Sequence, residues 1–263
     1  MFDTCIKLYG KSLHATDGKI GKVDDFYFDD TNWALRYLVA DVGSWLLGKK
    51  ILLSPAALGK PLNDSIDVKY SKDQVKHSPN VDTQKPISRK LEEELHDYYS
   101  WPYYWVYPNH YNSLGGAIYP GLSFPSGFPK PLGEEPITAQ ALEKEQKTEE
   151  EIRQSHLRST KELTNYHIQA TDEEIGHVED FILDTEHWVI RYLIVDTKNI
   201  LPGKKVLLAP QWILGIDWGE TKVYADVSAD TIRNGPEFTN KTELDRDYEK
   251  RLYEYYKRPK YWK

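Results

Sequence analysis

Short apolar runs of strand character, followed by a helical spacing, occur once near the start of the chain and again near its end. From Trp33 to Asp41, Leu35, Tyr37 and Val39 fall on one face of an extended segment, and Arg36, Leu38 and Ala40 fall on the other. Ile190, Tyr192, Ile194 and Val195 repeat the pattern. Apolar groups on both faces predict a strand inside a small closed sheet, because neither face is left for water. Just before each run, the polar stretches Asp29–Asn32 and Asp184–His187 predict hairpin loops. Further strands are predicted at 49–53, 66–70, 204–208 and 221–227. Beyond them, Leu91, Leu95, Tyr98 and Tyr99 take the i, i+4, i+7, i+8 spacing of one helical face. Tyr248, Leu252, Tyr255 and Tyr256 repeat it behind a Thr242-x-x-Asp245 start signal. Each helix is predicted to stop before Pro102 or Pro259.

The two patterns are one repeat at an offset of 155 residues. Ile20-Gly21, Asp25-Phe26, Asp29, Trp33, Arg36-Tyr37-Leu38 and Asp41 return as Ile175-Gly176, Asp180-Phe181, Asp184, Trp188, Arg191-Tyr192-Leu193 and Asp196. After a slip of two residues, Leu95, Tyr98-Tyr99, Pro102 and Tyr104-Trp105 return as Leu252, Tyr255-Tyr256, Pro259 and Tyr261-Trp262. A repeat of this size is a domain rather than a solenoid unit. The expected organisation is therefore one unit over 1–105, a linker over 106–160 and a second unit over 161–263. Six prolines and five glycines between Pro108 and Pro136 predict an extended stretch. The Glu-, Lys- and Gln-rich run from Thr138 to Arg158, with Glu143 and Lys147 at supporting spacing, predicts a solvated helix.

Composition narrows the chemistry. Acidic residues outnumber basic ones 41 to 34 with no long basic stretch, which makes nucleic acid an unlikely partner. Cys5 is the only cysteine, so an internal disulfide framework and multi-cysteine metal sites are excluded. No run approaches the roughly 18 apolar residues of a membrane span, and the start lacks a signal pattern, so a cytoplasmic location is expected. Gly21 and Gly176 sit in neither GxGxxG nor GxxxxGK[ST] and read as bends that need no Cβ. The carboxylates Asp24-Asp25, Asp29-Asp30, Glu179-Asp180 and Asp184 form no calcium loop, and strand neighbours point to opposite faces. The eight histidines show no HxH or HExxH spacing, and no GxSxG elbow occurs. The expectation is a chain without catalytic residues, metal or cofactor.

Ile20-Gly21-Lys22-Val23-Asp24-Asp25-Phe26, the run Trp33 to Asp41, and Gly48-Lys49-Lys50-Ile51-Leu52-Leu53-Ser54-Pro55, with their second copies, resemble the PRC-barrel family. That family is named for the cytoplasmic domain of the photosynthetic reaction centre H subunit and also occurs at the C-terminus of the ribosome maturation factor RimM. The resemblance covers about residues 6–80 and 161–236. It implies a mainly β fold with α additions: two tandem small β-barrels, each followed by a helix and an aromatic tail. It also implies a non-catalytic adaptor that binds another protein or complex. Alternatives that the same resemblance implies are a ribosome-associated or RNA-metabolism factor, and a regulator of an electron-transfer complex.

Two sets of residues stand out as candidates. Tyr98, Tyr99, Trp101, Tyr103, Tyr104 and Trp105, echoed by Tyr255, Tyr256, Tyr261 and Trp262, exceed what one helix face needs. They form either a partner-binding strip or a cover folded back over their own barrel or the sister copy. In a pseudo-twofold arrangement each tail would pack on the other unit. Pairing of the two barrels with each other, or of whole chains, is left open. The second set is ionic: a half-buried guanidinium needs a carboxylate, so Arg36 is expected to pair with Asp25, and Arg191 with Asp180.

Overall fold

In a computed structural model, the structure describes residues 1–43, 48–83, 87–105, 157–198, 203–239 and 242–262. The chain is mainly β. The first sheet contains β2 (Ser12–Ala15), β3 (Gly18–Asp29), β4 (Leu35–Asp41), β5 (Lys50–Leu53) and β6 (Ser65–Asp67), in the order β5-β4-β3-β2-β6. The second contains β8 (His167–Gln169), β9 (Glu174–Asp184), β10 (Val189–Asp196), β11 (Lys205–Leu208), β12 (Ile213–Asp217) and β13 (Lys222–Ala225), in the order β11-β10-β9-β8-β13-β12. Both orders are open paths, and no ladder among the described residues joins their ends into the expected closed ring. The predicted stretch and helix over 106–156 lie outside the described residues.

The predicted hairpins form at both sites. β3 and β4 pair antiparallel from Lys22↔Asp41 to Phe28↔Leu35, and β9 and β10 from His177↔Asp196 to Asp184↔Val189. Trp33 and Trp188 close the loops in the left-handed region, at φ 61° and 51°. Gly21 and Gly176 mark the place where the long strand crosses its partner most closely. A Cβ there would lie 2.2 Å from the Asp41 carbonyl oxygen and 1.8 Å from that of Asp196. Close backbone approach, not phosphate binding, explains both glycines.

A further strand in each sheet comes from the opposite repeat. β1 (Phe2–Thr4) begins the first unit but pairs with β9 of the second, in the register Phe2↔Asp184 to Thr4↔Ile182. β7 (Leu157–Ser159) begins the second unit but pairs with β3 of the first, Leu157↔Asp29 to Ser159↔Tyr27. The expected linker over 106–160 thus includes residues that are strand and helix start. Each exchanged strand runs into a single helical turn, α1 (Cys5–Leu8), capped by Thr4 at Lys7 N, and, later in the chain, its counterpart Thr160–Leu163, capped by Ser159 at Glu162 N. The hairpin tips also trade backbone bonds: Leu35 N donates to Trp188 O at 2.9 Å and Ile190 N to Trp33 O at 3.0 Å.

The two-faced apolar pattern of β4 has a layered cause. Phe26, Phe28, Leu38, Ala40, Ile51 and Leu53 face a core that continues into Phe181, Leu193 and Val195 of the second unit. Tyr27, Tyr37, Val39 and Leu52 face the other way, onto the helix and tail that follow. After the short helix α2 (Lys72–Lys76), that helix is α3 (Arg89–Tyr99); with Thr160–Leu163 as α4 and Ala229–Asn234 as α5, its counterpart is α6 (Arg246–Tyr255). Ser88 caps α3 at Leu91 N, and Ser100 ends it at φ 55°, before Pro102 as predicted. At α6 the cap is Asp245, which accepts from Tyr248 N at 2.7 Å, while Thr242 accepts from Thr239 N.

Candidate functional site

Each tail packs on its own unit, so the arrangement with tails crossing to the sister unit does not occur. Tyr99 and Trp101 are buried, stack with centroids 4.4 Å apart, and lie against Tyr37, Leu52 and Leu95. Trp101 Nε1 donates to Tyr70 Oη at 2.7 Å. In the second unit Tyr256 is buried 4.6 Å from Trp212. These rings cover core and are not available to a partner. Burying rings of this size stabilises by roughly 1.5–3 kcal/mol each, which explains why the chain keeps so many aromatics here. Tyr98 and Tyr255 remain exposed, and Tyr103, Tyr104, Trp105, Tyr261 and Trp262 are half-buried.

The half-buried rings sit on a polar assembly that appears once per unit. In the first, Arg36 of β4 lies 4.0 Å from the Tyr104 ring centre, and Arg89 of α3 lies 4.2 Å from that of Trp105. Beneath them Glu92, fully buried, pairs with Arg89 at 2.7 Å and accepts from Tyr37 Oη at 3.1 Å and from Tyr104 Oη. In the second, Arg191 lies 4.8 Å from Tyr261 and Arg246 4.5 Å from Trp262. Glu249, equally buried, pairs with Arg246 at 2.9 Å and accepts from Tyr192 Oη at 2.6 Å and Tyr261 Oη at 2.7 Å. A buried carboxylate is tolerated because a guanidinium and two phenols satisfy it.

One position breaks the equivalence. His96 is buried, donates from Nδ1 to the Pro102 carbonyl at 2.9 Å and so presents a bare Nε2 2.9 Å from Tyr37 Oη, where it competes with Glu92 for the single phenol proton. Burial pushes its pKa down to about 4, and the nearby Arg89 and Arg36 guanidiniums act in the same direction. The corresponding Tyr253 accepts from Gln211 Nε2 at 2.6 Å instead. Burial raises Glu92 above the usual carboxylate range against the pull of Arg89, and raises the Tyr37 and Tyr104 phenols.

The expected ion pairs take different carboxylates. Arg36 pairs with Asp29 at 2.9 Å, not Asp25, and Arg191 with Asp184 at 3.2 Å, not Asp180. Register is the reason: Asp25 lies opposite Val39, whereas Asp29 sits at the hairpin end, where its amide bonds Ala34 O beside Arg36. Asp25 and Asp180 instead receive the exchanged segments. Asp25 accepts from Ser159 Oγ at 2.5 Å, Thr160 Oγ1 at 2.9 Å and Lys161 N at 3.3 Å. Asp180 accepts from Ile6 N at 3.2 Å. Burial raises both carboxyls, Asp180 to about 6.

Glu92, Glu249, Arg89, Arg246 and His96 were not singled out by sequence reasoning. A signal existed: Arg89-x-x-Glu92 and Arg246-x-x-Glu249 recur on the same helical face as the predicted apolar stripe. Among the described residues, no group of three or more His, Cys, Asp or Glu is placed to hold a metal, and no helix is long and apolar enough to cross a membrane.

The PRC-barrel domain family matches residues 7–75 and 159–232, more than half of the chain, and the chain belongs to that family. No curated protein matches it. The matched segments hold β2 to β6 and β8 to β13 and stop before α3 and α6, so the aromatic tails and their buried glutamates lie outside the family match.

Proposed function

We propose that the chain is a non-catalytic adaptor, which binds a protein partner through the two strips Tyr103-Tyr104-Trp105 and Tyr261-Trp262. The observation that carries this reading is the stacking of half-buried tyrosine and tryptophan on arginine, held by a buried glutamate, in both units. Tyr, Trp and Arg are the residues that concentrate binding energy at protein interfaces. Rings already fixed by stacking lose little side-chain freedom when a partner arrives. Family membership supports the same reading.

The test is retention of a partner from extracts of the native host by the immobilised full chain, followed by identification by mass. The variant Trp105→Ala/Trp262→Ala is expected to keep the far-ultraviolet circular dichroism of the parent and to lose the retained protein at least tenfold, the equivalent of about 1.4 kcal/mol. Equal retention by the folded variant counts against the strips as the binding surface.

A further inference from the structure

The two strips stand on the same platform but beside charges of opposite sign. Trp262 lies against Arg246 and Tyr253, at 4.5 and 5.0 Å, and Lys250 sits between those two along the same face of α6. Trp105 lies against Arg89 and His96, at 4.2 and 4.8 Å, and there the residue between is Glu93. The exposed Lys90, Glu93 and Glu94 of α3 return in α6 as the exposed Asp247, Lys250 and Arg251, so the sign inverts at all three positions. The acid kept in both helices differs in its surroundings. Glu254 pairs with Lys260 at 3.3 Å, whereas Asp97 accepts from the neutral Tyr103 hydroxyl. Among the described residues no carboxylate pairs with Lys250 or Arg251. In a chain of net charge -7, residues 246–263 hold seven basic side chains and three acidic ones, against two and four over 89–105.

We propose that the second strip, together with Lys250 and Arg251, binds an acidic segment of a protein partner, and that the first strip rejects it. This specificity rests on the reading of the strips as the binding surface and adds what tells them apart. Carboxylates of such a segment meet unpaired cations beside Trp262, but beside Trp105 they meet Glu93, Glu94 and Asp97. Like charges brought together at an interface act against the wrong partner as opposite charges act for the right one. The rings fit a protein better than a bilayer or a nucleic acid. Tyr261 donates to Glu249 at 2.7 Å and Trp262 is held by Arg246 and Tyr253, so neither ring enters acyl chains or stacks on a base without leaving those partners.

The experiment follows the fluorescence anisotropy of a labelled oligoglutamate peptide titrated with the full chain at low ionic strength, where exposed charges act most strongly. The parent is expected to bind it with an affinity that falls as salt is added. Lys250→Glu/Arg251→Glu should bind at least about tenfold more weakly with unchanged circular dichroism, since both side chains are exposed. Adding Glu93→Lys/Glu94→Arg to that variant should restore binding at the first strip, so that Trp105→Ala then removes it, as Trp262→Ala does in the parent. Equal binding by Lys250→Glu/Arg251→Glu, or no recovery in the combined variant, overturns the acidic segment and leaves the strips standing. Binding that survives Trp262→Ala in the parent overturns both. Vesicles of phosphatidylserine and phosphatidylcholine bound more tightly than the peptide would assign the face to a membrane. Salt-sensitive self-association of the parent, lost in the same charge variant, would assign it to a second copy, and either result overturns the proposal.

Discussion

Asp180 and Asp184 stand on the same strand, four residues apart, and titrate in opposite directions. Burial would raise both. At Asp184 the hydrogen bond from His187 at 2.6 Å and the Arg191 guanidinium more than offset burial, and the carboxyl falls below its ordinary range. At Asp180 the amide bonds from Phe181 and Ile6 are weaker compensation, and the carboxyl rises from 3.8 to about 6. A carboxyl raised in the folded state favours folding when it is protonated. Its contribution is therefore full below about pH 4 and is lost as pH rises through about 6. The charged form costs about 3 kcal/mol at neutral pH by this linkage. Asp180→Asn keeps an acceptor for Ile6 N and cannot ionise, so the stability of the variant relative to the parent should rise from pH 5 to pH 8 by a few kcal/mol at most. Urea melts of both proteins at the two pH values check this. A gap that stays constant would show that Asp180 is not strained by its charge. The arginine partners show where residue-level reading of the sequence stops. That Arg36 and Arg191 need carboxylates was legible from their place in an apolar run, but choosing Asp29 over Asp25 required the strand register, which bulges between Val23 and Asp25 and between Tyr27 and Phe28.

Elements with enough residues to show a period were legible, and the short ones were not. The strands that became β4, β5, β10 and β11, the hairpins between β3 and β4 and between β9 and β10, and the helices α3 and α6 all followed from spacing and loop chemistry. β1 and β7 have three residues each, too few for alternation to register, and their partners lie in the other repeat. The exchange they make is invisible to any local pattern. The tails were legible as aromatic but not as to what they touch, since rings that cover a core and rings that face a partner have the same composition. Trp101 separates the two tails. It stacks on Tyr99, bonds Tyr70 and has Arg258 as its counterpart, which instead bonds Asp226. Trp101→Ala should therefore cost about 3–5 kcal/mol, as other large-to-small changes of buried aromatics do. Hydrogen exchange should quicken in α3 and around Tyr70, with α6 unaffected. Unchanged protection in α3 would mean that the ring is not what holds the first tail down.

At the scale of the molecule, two family matches do not make two independent folding units. Phe28 of the first sheet lies 6.4 Å from Phe181 of the second, and the cluster that holds them includes Cys5, Leu8, Leu163 and Ile182, drawn from both repeats. Each sheet also takes one strand from the other repeat, and each of Asp25 and Asp180 is satisfied by the other repeat's segment. Unfolding either unit alone would expose that shared apolar surface and strip the edges of β3 and β9, so partial unfolding costs nearly as much as complete unfolding. The chain should melt in one transition despite its length, with calorimetric and van't Hoff enthalpies equal, as in a single domain. Removing residues 1–8 should lower that transition as a whole and quicken hydrogen exchange in β9 and β10, not only in the first unit from which the segment departs. Two resolved heat-absorption peaks in the full chain, or a truncation whose effect stays within the first sheet, would show instead that the core divides at the repeat boundary and that the exchanged strands are decoration on two separate folds.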